Sequence, residues 1–428
     1  MKLYSTNNPH RVVGLREAVM QSLPPDRGLY MPQTLPPLPP AFIADLEKLS
    51  FQEIAYAVGQ ALIGDELPAG EFRALVERAL DFPAPVVMLH ERLGALELWH
   101  GPSLAFKDFG ARFMAGLMSY FNRNEDRPLT ILVATSGDTG GAVASGFSGA
   151  SGIEVVILYP SGKVSPLQEK QLTTLGGNVR AVEVRGAFDD CQDMVKSAFL
   201  DPDLNARYRL SSANSINIAR LIPQSFYYFE AYKQAAPSGL SLVFSVPSGN
   251  FGNLCAGLIA KRMGLPVARF IAATNINKIV PDYLATGLYE PKPSLPTISN
   301  AMDVGAPSNF ARILDIYKGD WHAIRADIFG FYLDDAQTRD AMRDAQARYG
   351  YLCDPHGAIG YQSLQGLRDG EMGIFLETAH PAKFLETVEE ALGMPCPLPP
   401  ALAALADRPG QSTPIDADFA AFKALMLA

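Results

Sequence analysis

Short apolar runs that alternate with helix-like segments constrain the fold of this chain more than any other feature. LTILVAT (129–135) leads into TGGAVASGFSG, VVILY (155–159) into a Ser-Pro-led helix near 165–175, and AVEV (181–184) into a helix near 188–199. SLVFSV (241–246) then leads into NLCAGLIAKRMG, and RFIAAT (269–274) and GIFLET (373–378) follow. Runs of this length are buried strands, and strands interleaved with helices predict an α/β fold built on parallel sheet. They fall far short of the ~20 apolar residues that span a bilayer. Ligands in such folds gather where strands end and helices begin.

Residues 1 to about 95 lack this alternation. They hold the connector LPPDRGLYMPQTLPPLPP (23–40), helix-like stretches around 41–61 and 70–80, and the linker DFPAPVV (81–87), extended because residues before proline avoid the helical region. The expected division is therefore an N-terminal domain over 1–95, a smaller α/β domain over 96–230 and a larger one over 231–428 with C-terminal helices.

A net charge of −9 without a basic run excludes a nucleic-acid surface. Cys191, Cys255, Cys353 and Cys396 are scattered, with no C-x-x-C pair, and the histidines show no metal spacing, so neither a disulfide framework nor a metal site is expected. MKLYSTNNPH has no apolar signal core. These features predict a soluble enzyme of the reducing cytoplasm.

Two strand-to-helix junctions carry chemistry. ATSGDTGGAVA (134–144) and SVPSGNFGNLCAG (245–257) each pass from strand to helix through small hydroxyl, amide and glycine residues. Helix N-termini expose unpaired N–H groups and about half a positive charge, so an anion binds there without a cationic side chain. Tight turns with Ser or Asn caps would have the same composition, and neither junction has the G-x-G-x-x-G or P-loop spacing.

HGPSLAFKDFG (100–110) sets Lys107 between two phenylalanines at the start of a helical pattern of Phe109, Phe113, Met114, Leu117, Met118 and Phe121. Desolvation and a helix N-terminus both favour the neutral amine, the form that attacks a carbonyl. A lysine that packs its stem and sends its head to solvent is the plain alternative. The DFG letters lack every other protein-kinase signature. An amine and anion-ready loops together suit a phosphorylated aldehyde, and pyridoxal 5′-phosphate is such a cofactor.

HGPSLAFKDFG, ATSGDTGGAVA, SPLQEKQLTTLGGN (165–178), NSINIAR (214–220), SVPSGNFGN (245–253) and TAHPAKF (378–384) together resemble the threonine synthases, fold-type-II pyridoxal-phosphate enzymes related to tryptophan synthase β. The likeness runs over essentially the whole chain. It implies two open, twisted, mostly parallel sheets flanked by helices, with an N-terminal domain in front.

The resemblance also implies roles. Lys107 matches the Schiff-base lysine, and the loop of Gly249, Asn250, Phe251, Gly252 and Asn253, flanked by Ser248, matches the cofactor-phosphate site. Thr378 stands where a hydroxyl faces the pyridine nitrogen. Thr135, Ser136, Gly137 and Thr139 match the segment that receives the substrate α-carboxylate. Asp138 replaces an Asn found in many relatives, and is expected either to meet the cofactor's 3′ oxygen as a protonated acid or to cap the helix. Asn214, Ser215 and Arg220 match the substrate-phosphate site, with Lys163 a further candidate that a solvated turn would equally explain. The implied reaction converts O-phospho-L-homoserine and water to L-threonine and phosphate. A phospholyase giving 2-oxobutyrate and a catalytically silent cofactor-binding relative are the alternatives, and the oligomeric state is left open.

Overall fold

The computed structural model describes residues 1–428, with the side chain of Ala406 excepted. Its two main sheets are built from the apolar runs read above. The larger has six strands in the order Ile328–Tyr332, Val267–Thr274, Ser241–Pro247, Glu371–Glu377, Leu93–Glu97, Val86–His90. All its pairs are parallel except the last, an antiparallel hairpin at the edge. The smaller is wholly parallel, in the order Thr413–Asp416, Val179–Arg185, Ile153–Pro160, Leu129–Ala134, Arg209–Ser212. Central strands such as Ser241–Pro247 and Glu371–Glu377 are buried almost throughout, as parallel strands covered on both faces must be.

The N-terminal section forms a three-stranded antiparallel sheet of Asn8–Gly14, Lys2–Ser5 and Tyr30–Pro32, followed by the helices Phe51–Ile63 and Ala69–Ala79. Phe72 and Leu75 of the second helix pack against the helix Lys107–Asn122, sharing one core with Phe113 and the glycine at 116.

The domain division expected from sequence does not follow the sheets. Val86–His90 and Leu93–Glu97 precede the smaller sheet in the chain yet lie in the larger one, and Thr413–Asp416 returns from the C-terminus to edge the smaller one. The physical reason is that each sheet edge is completed by whichever strand can pair with it in register, regardless of chain position. The sequence pattern locates strands but does not record their partners.

No helix is long and apolar enough to cross a membrane among the described residues. All four cysteines are free and buried.

Candidate active site

Lys107 is the first residue of the helix Lys107–Asn122, and the turn before it is tightly fixed. Ala105 bridges Ala379, the Phe106 N–H donates to the Thr378 carbonyl (2.8 Å), and the His380 N–H donates to the Leu104 carbonyl (3.0 Å). Asp108 accepts from the Ser103 N–H (2.8 Å), and a Cβ at Gly101 would lie 2.4 Å from its carboxylate. Burial raises the Asp108 carboxyl to about 6 despite that bond. The segment thus ties the lysine to the carboxyl end of the strand Glu371–Glu377, the edge where α/β sheets bind ligands.

The lysine opens into a cavity of about 510 Å³ between the two sheets' loops. Burial depresses its pKa; Asp138 opposes the shift, and Arg220 and Lys383 add to it. A depressed pKa raises the share of neutral, nucleophilic amine.

At one side lies the junction Pro247–Asn253. The Ser248 hydroxyl donates to Asn253 Oδ1, the Asn253 amide donates to the Pro247 carbonyl (2.8 Å), and its oxygen accepts from the Leu254 N–H (2.9 Å). Phe251 adopts a left-handed φ of 61°, which turns the chain into the helix Gly252–Arg262. A Cβ at Gly249 would lie 2.8 Å from the Ala301 carbonyl oxygen, so this position excludes any side chain. Among the described residues no protein acceptor takes the N–H groups of 249 to 253. Unpaired donors converging at a helix N-terminus form a seat for an anion.

The other junction is built differently. Thr135 Oγ1 accepts from the N–H groups of Gly137 (3.0 Å) and Gly140 (2.8 Å), and Gly137 takes a φ of 137°. The helix Asp138–Phe147 begins there, and Ser136, Asp138 and Thr139 line the cavity. Asp138 Oδ1 pairs with the buried Lys383 (3.0 Å) and accepts from Gln168 Nε2 (3.0 Å), the residue that also completes the capping box of the helix Pro166–Thr173. Burial alone would raise the Asp138 pKa, but Lys383, Lys107 and these hydrogen bonds outweigh it and hold the carboxyl well below its usual range.

The third part is the segment Asn214–Arg220. Arg220 is buried, and its Nη1 donates to the Ala213 carbonyl (2.7 Å), yet its Nε has no partner. Burial lowers its guanidinium to about 10, partly offset by Asp108, and it remains charged at neutral pH. The segment is braced by Arg312, fully buried, which donates to the carbonyls of Tyr30 (3.0 Å) and Ile216 (2.6 Å) and thereby anchors the loop to the N-terminal sheet. Ser215 Oγ accepts from Asn250 Nδ2 (2.7 Å), which links this segment to the first seat. A guanidinium in the cavity wall with only its Nη1 hydrogen-bonded among the described residues fits a second anion.

Most of the residues named from sequence meet here: Lys107, Ser136, Asp138, Thr139, Asn214, Ser215, Arg220, Thr378 and the loop 249–253 all line one cavity. Four do not reach it as ligands, among them Gly137, which is outside the lining and donates its N–H to Thr135 Oγ1. Lys163 is exposed and outside the cavity, because its turn, Ser161–Lys163, projects past the end of its strand. The hydroxyls of Thr135 and Ser248 are spent inside their own loops, so these residues shape the seats rather than contact an occupant. Asp138 meets neither expectation, protonated acid or helix cap: a buried lysine pairs with it and holds its pKa down, and its side chain makes no capping bond to its helix.

Sequence reasoning missed Lys383 and His356. The signal for Lys383 was available, since it too sits in apolar company, between Ala382 and Phe384. His356 is buried at the cavity, pairs its Nδ1 with Asp354 (2.5 Å) and accepts at Nε2 from the Ala301 N–H (3.2 Å), which fixes the wall that covers Gly249. His380 stays out of the cavity; its Nδ1 accepts from the Ala382 N–H (3.0 Å) as a cap, and burial lowers its pKa to about 4. Among the described residues no group of His, Cys, Asp and Glu could hold a metal ion.

Three family models match the chain: Threonine synthase N terminus over residues 2–80, Pyridoxal-phosphate dependent enzyme over 89–374, and Threonine synthase, C-terminal over 357–426. The threonine synthase of Haemophilus influenzae is 48% identical and that of Escherichia coli K12 47%, each alignment covering 100% of this chain and 100% and 99% of the relative. The crystal structure of threonine synthase from Escherichia coli superposes with a TM-score of 0.91 at 47% identity, covering 100% of this chain and 99% of that one. The PLP-bound threonine synthase from Brucella melitensis superposes at 0.94 with 35% identity, over 100% and 98%.

Proposed function

The chain belongs to the threonine synthases, pyridoxal-phosphate-dependent lyases of fold type II, and from that premise we propose how its own residues divide the work. The substrate is O-phospho-L-homoserine, which reacts with water to give L-threonine and phosphate. When bound, pyridoxal 5′-phosphate supplies an electron sink for the charge left when a proton is removed beside the substrate amine. The residues fit that cofactor: five free N–H groups at 249–253 suit its phosphate, and Lys107, an amine with a depressed pKa, suits its aldehyde. Thr378 would meet the ring nitrogen with a neutral hydroxyl.

Lys107, as the free amine, accepts the substrate's α-proton, hands it on and, neutral again, accepts a β-proton, which it returns to the γ-carbon once phosphate has left. Ser136 and Thr139 receive the α-carboxylate on the N-terminal turn of their helix, with Gly137 shaping the turn between them. Arg220, with Asn214 and Ser215, binds the substrate phosphate, stabilises it as it leaves the γ-carbon and retains it while water adds at the β-carbon. Asp138 braces its loop as an ionised group, and Lys163 has no part.

One observation carries this reading. A single amine lies in a cavity with two separate anion-binding groups, the unpaired N–H groups of 249–253 and the Arg220 guanidinium. A reaction with one phosphate on the cofactor and another on the substrate needs both, since burying an unpaired dianion is very costly.

Borohydride reduction of the loaded protein followed by peptide mass spectrometry tests it. A pyridoxyl label on Lys107, with threonine and phosphate released in equal amounts, is the expected result. A label elsewhere overturns the lysine assignment, and 2-oxobutyrate as the main product favours a phospholyase.

A further inference from the structure

Lys383 raises a question that the reaction does not answer. Its side chain is almost wholly buried, and its Nζ meets three acceptors: the Ser103 carbonyl (2.7 Å), Gln171 Oε1 (2.9 Å) and Asp138 Oδ1 (3.0 Å). An ammonium has three N–H donors, so all are spent and none is left for a ligand. The three acceptors belong to three different parts of the site. Ser103 lies in the turn that presents Lys107, Gln171 in the helix Pro166–Thr173, and Asp138 at the head of the helix Asp138–Phe147. Gln171 also donates to the Ser103 carbonyl (3.0 Å), which closes the network.

Asp138 poses the complementary problem. A carboxylate at the mouth of a loop that must receive another carboxylate would repel it, and burial strengthens the repulsion.

We propose that Lys383 is a positioning residue: by pairing with Asp138 it cancels the charge of the loop at 134–139, so that the loop's free N–H groups, and not a buried anion, face the substrate carboxylate. This rests on the assignment of that loop to the substrate. Without Lys383, the nearest cation left to Asp138 is Lys107, whose ammonium form Asp138 then favours. The groups acting on Lys107 are Asp138, Arg220 and Lys383, and His356 and Asp303 line the same cavity from the helix Pro355–Ser363 and the turn after Met302. Removing Lys383 therefore raises the Lys107 pKa, and removing Asp138 lowers it.

The test compares Lys383→Met, Asp138→Asn and the double variant. With holoenzyme and O-phospho-L-homoserine, Lys383→Met should raise KM about tenfold, while the double variant, neutral again at this point, should return to within about threefold of the parent. Equal impairment of Lys383→Met and the double variant would mean that the lysine is only a structural brace, and overturns the proposal. The second readout is the pH midpoint for acetylation of Lys107 by acetic anhydride, read by peptide mass spectrometry on the full-length chain stripped of cofactor. Lys383→Met should move it up by about one unit and Asp138→Asn down, with the double variant between. Should Lys383→Met fail to fold, Lys383→Gln keeps a hydrogen-bonding side chain without the charge, and Asp138→Asn alone must still lower the midpoint. Unmoved midpoints overturn the proposal while a pyridoxyl label on Lys107 leaves the function standing; a label on another residue sinks the earlier reading instead.

Discussion

The two strand-to-helix junctions of this protein both bring the start of a helix to the cavity, but they solve the charge problem differently. The junction at 247–253 contains no charged side chain at all; its shape comes from Ser248, Asn253 and a left-handed Phe251, and its donors are all main chain. The junction at 134–139 contains a carboxylate, matched by a lysine brought from the C-terminal part of the chain. A seat for a permanently held group is well served by fixed dipoles, which need no counter-ion and cannot titrate. A seat that is filled and emptied each turnover can include a charge pair, provided the pair is closed on itself and leaves the donors free.

Both junctions are assigned to one amine, and Lys107→Ala is the strongest way to break that link. Turnover should fall by more than about 10³-fold and the visible absorption of the purified protein should vanish, as read by product assay and spectrum. Retained turnover would separate the two seats from the lysine altogether.

The next test sets one glycine against the other. At Gly249 a methyl group would meet the Ala301 carbonyl oxygen and Met302 Cα, both at 2.8 Å and both backbone, which cannot step aside. Gly249→Ala should weaken cofactor binding by about 100-fold in equilibrium dialysis. Gly137→Ala faces a φ of 137° and the end of the Gln168 side chain at 2.7 Å. It should raise KM for phosphohomoserine by about tenfold and leave cofactor affinity near the parent value. The opposite pattern would exchange the roles of the two junctions.

Arg220→Ala sharpens the comparison from the third side. Its loss removes the only charged partner assigned to the substrate phosphate, so KM should rise by about 30-fold while cofactor affinity changes less than about threefold. Equal loss of both would mean that Arg220 serves the cofactor phosphate as well.

How far this site could be read from sequence depended on how local each feature is. Buried parallel strands announce themselves as short apolar runs, both junctions follow directly from such runs, and the Ser-Pro start marked the helix near 165–175, observed as Pro166–Thr173. The strands Lys2–Ser5, Tyr30–Pro32 and Thr413–Asp416 are only 4, 3 and 4 residues long, too short for a period of two to stand out, and they were not legible. Asp138 was legible as an anomaly but not as a paired ion, because its partner comes from a distant segment. Lys383 reaches Gln171 and Ser103 across 212 and 280 positions. Its apolar neighbours marked it as they marked Lys107, but only the fold decides which of two dry lysines faces the cavity and which is closed off by acceptors.

The smallest effect concerns a buried carboxylate without a lysine. Glu377, next to Thr378, is fully buried; it accepts from the Asp354 N–H (2.6 Å) at one oxygen, while the other has no partner. Burial raises its pKa well above the usual range, the neighbouring Asp354 and Glu97 push the same way, and the Asp354 N–H only partly opposes them. The contrast with Asp138 is one of partner and not of depth: both are buried, and only the one with a lysine ionises. The sign follows from linkage. The folded state binds the proton more tightly than the unfolded chain, whose glutamate titrates near ~4.3, so stability is full below that pH and declines as pH rises toward the folded pKa. Glu377→Gln removes the titrating group while keeping an oxygen to accept from Asp354. Its melting temperature should therefore fall less than the parent's between pH 5 and 8, by about 2 °C in scanning calorimetry. An unchanged slope would mean that Glu377 is ionised in the folded protein and that burial without a cation does not suffice to keep a carboxyl neutral at this end of the cavity.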